Sequence, residues 1–508
     1  MIRSLLFEKS IDEEKFNVKE KEELTDDLNL ELIIKSMAKD DLFLYKTCKE
    51  VILNSLTKKE LILFRQSILK DCIENKNIIL ELYSVITTTL KQSKKYIDYT
   101  KPHYAKVITM SNKVENGIGL IYIYVNSFEK LKKILDESKK YFSSKGLVDF
   151  NKDVDEIFTK EFFDECKYHV EYLSNVSEKK FMMVSATIGK GMKGTNYVLD
   201  KISESESYNL LSNIFNKNNK SNVINLESVN LANNANEIID GMYTHILRVI
   251  NHSAKYIQEF LESLRYEIGF YVGGINLYEE MKSKGFHTTM PVVEESIDVV
   301  LEFEDLYDLG LAIDKEKLPV RNDLNASKKN LIVITGANQG GKSTYLRSIG
   351  LAQILMQSGL FVPAEFYRSN ISKRIFTHFT RKEDINMNSG RLDEELLRIN
   401  NIINNMNKHS IVFMNESFAT TTEREGTIIA KEIILALIEE NVKVIYVTHL
   451  YEFAEKIYQE NNNEATFLRA GRTDIGERTF KIKEDRPIYT SYGEDLYKKH
   501  IKENIKKT

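Results

Sequence analysis

Apolar residues recur at helical spacing through the first half of the chain and in short strand-like runs through the second. Leu61, Phe64, Ile68 and Cys72 fall three or four apart, and a second apolar helix is predicted from about Ile78 to Ile86. Such spacing lines one face of a helix. Lys/Glu-rich segments between them read as solvated faces. From Val114 to about Phe142 the positions Leu120, Tyr124, Phe128, Leu131 and Leu135 form one stripe, which predicts one long helix. Another is predicted from Glu237 to about Lys284, with the stripe Ile238, Met242, Ile246, Val249, Ile257, Leu261, Leu264 and Ile268. Two long helices separated by an insertion suggest an antiparallel pair carrying a small tip, about 147–222. The tip holds a strand-like stretch, Phe181–Ile188, and a basic glycine turn, Gly189–Gly194. That turn is open to two readings, a phosphate contact or a plain hairpin loop.

After Pro291 the pattern changes. Strand-like runs at Leu331–Thr335, Ile411–Met414 and Val442–Thr448 alternate with amphipathic helices at Leu392–Met406 and Gly426–Ile438. Alternation of this kind predicts a parallel α/β domain. Ligands of such sheets bind at the carboxyl ends of the strands, where Lys342, Glu416 and His449 fall.

Proline sharpens the division. Of the five prolines none lies between Pro102 and Pro291, and proline breaks helix interiors. The expected domains are a helical core over 1–100, long lever helices with the tip over 101–285, and an α/β domain over 286–485. The length of 508 residues fits several domains, and 42% hydrophobic content fits proper cores. A net charge of −4 with 29% charged residues describes an ordinary soluble protein, so any nucleic-acid contact would come from local patches. Cys48, Cys72 and Cys166 are odd in number and far apart. They fit a reducing cytoplasm better than a disulfide framework or a zinc site. His245, His252 and Tyr243 share a predicted helix with no carboxylate cluster nearby, so no metal site is expected there. Neither a signal peptide nor a membrane span is expected, because no apolar run approaches about 18 residues.

The chemistry-bearing stretch is Leu331–Ile349. Gly336, four residues, then Gly341-Lys342-Ser343 satisfies the P-loop spacing. Glycines let backbone N–H groups turn in on a phosphate chain, and the following helix presents its positive N-terminus to the same anion. Gly336, Asn338, Gly340, Gly341, Lys342, Ser343 and Thr344 are therefore the candidate ATP contacts, with Lys342 reaching the β- and γ-phosphates and Ser343 binding Mg²⁺. Glu416, just beyond an apolar strand, is placed to orient the attacking water. Asn415 stands where an aspartate usually steadies Mg²⁺ through its waters; an amide keeps an acceptor oxygen but loses the charge. Weak Mg²⁺ binding and slow hydrolysis are expected. His449, after Thr448, reads either as a sensor of the γ-phosphate or as a satisfied buried histidine. Ser389-Gly390, ahead of a helix bearing Glu394, could bind a phosphate, and with Lys342 on the chain's own nucleotide one reading has Ser389 acting on a partner subunit's, which the residues alone leave open.

Together these residues resemble the MutS family of DNA mismatch-repair ATPases. Gly336–Arg347, reading GANQGGKSTYLR, is similar to the family's G-P-N-M-G-G-K-S-T-Y-M-R. The likeness continues through Pro291–Glu294, Phe361–Ala364, Arg374–Thr377, Gly426, Thr448-His449 and Ser491-Tyr492-Gly493. It implies a helical core, lever and clamp region followed by an ABC-like P-loop ATPase domain, with 486–508 as a dimerisation tail. It also implies a homodimer whose subunits complete each other's ATP sites and whose nucleotide state controls a clamp on DNA. By the same resemblance Lys342, Ser343, Glu416 and His449 match the family's nucleotide-site residues, and Ser389 and Glu394 match its S-T-x-x-x-E segment. The departures are Asn415 for the aspartate, Gly390 for the threonine after Ser389, and Phe418–Thr422 in place of G-R-G-T-S. No counterpart of the family's N-terminal phenylalanine wedge is found, so mismatch reading itself is not expected. The competing expectation is a nucleotide-gated assembly or regulatory protein with little hydrolysis and no direct role on DNA.

Overall fold

The computed structural model describes residues 2–6, 18–99, 110–177, 182–188, 194–202, 229–295, 299–315, 319–381, 390–460, 464–473 and 477–488. The chain divides into two compact units: 1–3, 77–143 and 147–268 form one, and 4–76, 144–146 and 269–508 the other. This differs from the boundaries that proline spacing suggests. Residues 4–76 belong with the α/β region rather than joining 77–100 in a separate helical core.

The helices before the tip are α1 (Val18–Asp27), α2 (Leu30–Ala38), α3 (Leu42–Leu53), α4 (Lys59–Glu74), α5 (Lys76–Tyr99), α6 (Met110–Ser138), α7 (Lys145–Ile157) and α8 (Lys160–Ser177). An antiparallel hairpin, β1 (Met182–Ile188) and β2 (Gly194–Ile202), precedes the 55-residue α9 (Val229–Ser283). Within the first unit the expected α6 stripe is buried from Leu120 to Leu135. Phe128 stacks on Phe158 with centroids 4.8 Å apart, which ties α6 to the α7–α8 corner.

The stripe expected on α9 holds at Leu261, Leu264 and Ile268 and is corrected nearer its start, where Ile246 is only partly buried. Val249 is 63% exposed, whereas Tyr243, Leu247, Ile250, Ala254, Leu261, Leu264 and Ile268 are buried. Ile257 is half-buried between them. These positions step by alternating fours and threes, the period of helices packed along a seam. Apolar residues at both 246/247 and 249/250 leave two registers open in the sequence. Packing on α6 selects the second: Val114, Ile118, Tyr243, Leu247 and Ile250 share one cluster. Gly117 permits the close approach, because a Cβ there would lie 2.8 Å from Ile250 Cγ2. Ile238 and Met242 lie outside the residues whose side chains are described.

In the second unit two sheets form. The smaller joins β3 (Val292–Glu294), β4 (Leu301–Leu306), β5 (Asn322–Asn325) and β7 (Phe366–Asn370) in the order β3-β7-β4-β5, and α10 (Leu309–Asp314) follows β4. The larger is built on β6 (Leu331–Thr335), with β8 (Ile375–Phe379), β9 (Ile411–Asn415), β10 (Lys443–Val447), β11 (Ala465–Arg472) and β12 (Arg478–Glu484). Its order is β12-β11-β6-β10-β9-β8, parallel except for the β11–β12 pair. Every residue of β6 and β10 is buried, as expected where helices cover both faces of a parallel sheet. The covering helices are α11 (Lys342–Gln357), α12 (Arg391–Asn405), α13 (Glu423–Glu439) and α14 (Tyr451–Gln459). The strands and helices expected here from the sequence therefore occur within a residue or a few of their bounds. α1 packs against β8 and is held by charge: Glu20 pairs with Arg374 at 2.9 Å, and Glu23 with Arg381 at 2.9 Å and Arg398 at 3.4 Å. Among the described residues no helix is long and apolar enough to cross a membrane.

Candidate functional site

The site gathers at the carboxyl ends of β6, β9 and β10. From Thr335 the chain turns at Gly336 (φ 117°), where a Cβ would come 2.9 Å from the Ala470 amide nitrogen, so only glycine fits. It turns again at Gly341 (φ 90°), the residue that caps α11. No side chain caps α11, so the first-turn N–H groups remain directed at the loop. Lys342 folds back into this loop, its Nζ donating to the carbonyls of Gly336 and Ala337 at 2.9 Å each. Burial pushes its pKa down to about 8, a fall opposed by the nearby Glu416 carboxylate.

Asn415 ends β9 in register with Val447 of β10 and Phe379 of β8. Its Oδ1 accepts from the Ser343 hydroxyl at 2.8 Å. The next residue, Glu416, is left-handed (φ 56°) and lies 3.2 Å from His449 Nε2 through its Oε1. The hydrogen bond from His449 holds the Glu416 carboxyl below its ordinary range against the opposing effect of burial. His449 follows β10 and also reaches the Tyr451 hydroxyl at 3.4 Å. Lys342, Ser343, Asn415, Glu416 and His449 are thus brought to one end of the sheet.

A cavity of about 470 Å³ opens over the loop. Asn338, Gly340, Gly341, Lys342, Ser343, Thr344 and Glu416 line it; Gly336, Asn415 and His449 are not part of that lining. Its far wall was not foreseen from the sequence. Tyr307, Leu311, Pro319 and Val320 form it, and Phe480, on β12 with φ 56°, lies 3.4 Å from where a Gly341 Cβ would stand. Ser389 lies outside the described residues, as do Ser491–Gly493. Gly390 caps α12, and Glu394 on its first turn lies 3.8 Å from Arg381 and is partly exposed. The buried glutamate of that turn is the next one, Glu395.

The donor set suits a magnesium nucleotide. A buried ammonium with only loop carbonyls for partners, an uncapped helix start and a 470 Å³ cavity match a phosphate chain. A hydroxyl and an amide oxygen 2.8 Å apart match a small hard cation that keeps most of its ligands as water and phosphate oxygen.

A helical region followed by a mixed α/β domain is consistent with a MutS-type protein. The comparisons agree: the model for the MutS2 N-terminal domain matches residues 57–284, and that for MutS domain V matches residues 332–498. The chain belongs to the MutS family. It is 35% identical over 140 residues to MutS protein homolog 4 of Homo sapiens, covering 28% of this chain and 15% of that protein. It is 28% identical over 210 residues to the DNA mismatch repair protein MutS of Aquifex pyrophilus, covering 41% of this chain and 24% of the relative. With the MutS of Leptospira interrogans the identity is 28% over 262 residues, covering 49% of this chain and 31% of the relative. The chain thus spans less than a third of the length of these relatives.

Proposed function

We propose that the chain is an ATP-binding, slowly hydrolysing MutS-type ATPase that works as a cytoplasmic homodimer and switches a helical clamp on DNA. One observation carries this: Lys342, the Ser343–Asn415 pair and the Glu416–His449 pair converge at one end of a single sheet. Lys342 exchanges its loop carbonyls for phosphate oxygens. The Gly340 and Gly341 amides and the start of α11 bind the phosphate chain. Phe480 and Pro319 flank the base. Ser343 and Asn415 would hold Mg²⁺, which when bound would supply neutralisation of phosphate charge. Glu416 orients the water, and His449 fixes the Glu416 carboxylate and reports the loss of the γ-phosphate.

The chemistry is slow because Asn415 contributes a dipole where the family carries a full charge. Ser389 acts on the partner's nucleotide, and 486–508 joins the subunits. Residues 101–285 serve as levers bearing the 147–222 tip, which meets the DNA. Asn415 also favours a second reading, a nucleotide-gated assembly protein with little hydrolysis and no contact with DNA. ATP turnover and DNA retention, each measured across salt with duplex DNA present or absent, separate the two. DNA-stimulated turnover with salt-sensitive retention supports the clamp. Turnover near zero, indifferent to DNA, with no retention at low salt supports the second reading.

A further inference from the structure

The loop after β9 adopts a conformation that its sequence disfavours. Glu416 and Phe418 both sit at positive φ, 56° and 64°, and neither is glycine. Left-handed backbone is unfavourable for a residue that carries a Cβ. The arrangement therefore depends on contacts that hold it, and three elements and Thr380, just after β8, supply them.

From α12, the Glu395 carboxylate accepts through Oε2 from the Phe418 N–H at 2.9 Å and from the Thr420 hydroxyl at 3.3 Å. From β8, His378 joins the same helix to the same loop. Its Nε2 lies 3.1 Å from the Glu395 carbonyl, which can only accept, so the ring hydrogen sits there. Nδ1 lies 2.7 Å from the Ser417 hydroxyl, whose one hydrogen is shared between that nitrogen and the His378 carbonyl oxygen 2.8 Å away. Burial pushes the His378 pKa down to about 4, so this neutral tautomer persists across physiological pH. The His378 ring also stacks on that of Phe418, centroids 5.7 Å apart. From β10, the Tyr446 hydroxyl donates to the Ser417 carbonyl at 2.7 Å. Finally, Thr380 donates to the Glu416 carbonyl at 2.7 Å.

Glu395 is the outlier in this group. Its side chain is buried, yet among the described residues Oε1 has no hydrogen-bond partner. A buried carboxylate with a bare oxygen is expensive, and burial raises its pKa. A surface glutamate or an apolar residue would serve the helix alone better. What Glu395 provides that they would not is an acceptor for the Phe418 N–H, two residues beyond Glu416.

We infer that Glu395, seconded by His378, is a positioning residue for Glu416: it braces the left-handed loop so that the Glu416 carboxylate faces the nucleotide. This rests on the reading of Glu416 as the residue that orients water. Glu395 does not line the cavity, so its loss should lower kcat and leave nucleotide binding intact.

The test compares Glu395→Ala and Glu395→Gln with the unaltered protein, measuring ATP Kd, KM, kcat and hydrogen exchange at the Phe418 amide. Misplacing a water-orienting group costs about 10- to 100-fold in rate, and that loss of kcat is expected for Glu395→Ala, with Kd within about threefold and faster exchange at Phe418. Glutamine keeps an acceptor oxygen, so Glu395→Gln is expected to recover kcat to within about threefold. An unchanged kcat in Glu395→Ala overturns the proposal, as does a Glu395→Gln protein as slow as the alanine variant. Should Glu395→Ala not fold, Glu395→Asp takes its place, since the shorter carboxylate falls short of Phe418; equal kcat in Glu395→Asp again overturns the proposal. Failure of the underlying reading looks different: Glu416→Ala would then turn over ATP as fast as the unaltered protein.

Discussion

At the residue scale, Asn415 and Lys342 carry the sharpest expectations. Asn415 Oδ1 already accepts from Ser343 at 2.8 Å, so an aspartate fits the same place and adds a charge. Asn415→Asp is expected to raise Mg²⁺-dependent kcat by about tenfold or more and to lower the Mg²⁺ concentration at half-maximal rate. A titration of rate against Mg²⁺ checks this, and an unaltered curve would contradict it. Lys342 has a pKa of about 8 in the free protein because it is buried. Bound phosphates favour its charged form, so its pKa rises on binding. Below about pH 8 the free lysine already holds its proton and affinity is flat; above it, binding must take up a proton and ATP affinity falls, by at most about tenfold per pH unit. Kd measured from neutral to alkaline pH checks the sign, with Lys342→Ala losing the dependence along with most of the affinity. The lysine, Ser343 and Glu416 were legible in the sequence because fixed spacing puts them at strand ends. Glu395 was not. Two adjacent glutamates begin α12, and spacing alone favours Glu394; only the phase of that helix against residues 416–420 turns Glu395 inward.

At the scale of elements, the strands and helices of the α/β region followed from runs such as LIVIT and IVFMN, whose continuous apolar character fits a sheet buried on both faces. The long helices followed too, but not the face that α9 buries. Apolar residues at 246, 247, 249 and 250 satisfy two helical registers, and only the partner helix decides between them. This yields a paired expectation. Ile250→Ala removes a side chain that is 4% exposed and should destabilise the first unit by about 2–4 kcal/mol. Val249→Lys alters a side chain that is 63% exposed and should change stability by less than about 0.5 kcal/mol. Chemical denaturation of both variants checks the register, and the reverse order of effects would restore the stripe read from the sequence. Phe480 was hidden for another reason. It carries no reactive group and lies on the antiparallel β12, about 140 residues beyond the loop it faces, so nothing local in the sequence links it to the cavity.

At the scale of the whole molecule, the near-neutral charge balance leaves the DNA reading to local surfaces and to nucleotide-driven pairing of subunits. The site is half of a two-subunit arrangement in the proposed account, because Ser389 serves the neighbour's nucleotide. Pairing should then require ATP and persist when hydrolysis is blocked. The most direct test is sedimentation of Glu416→Ala protein with Mg-ATP and labelled duplex DNA, against the same mixture without nucleotide. The account predicts a dimer that forms only with ATP and carries the duplex with it. A mass that stays monomeric with ATP, or a dimer indifferent to nucleotide that leaves the DNA behind, would contradict it.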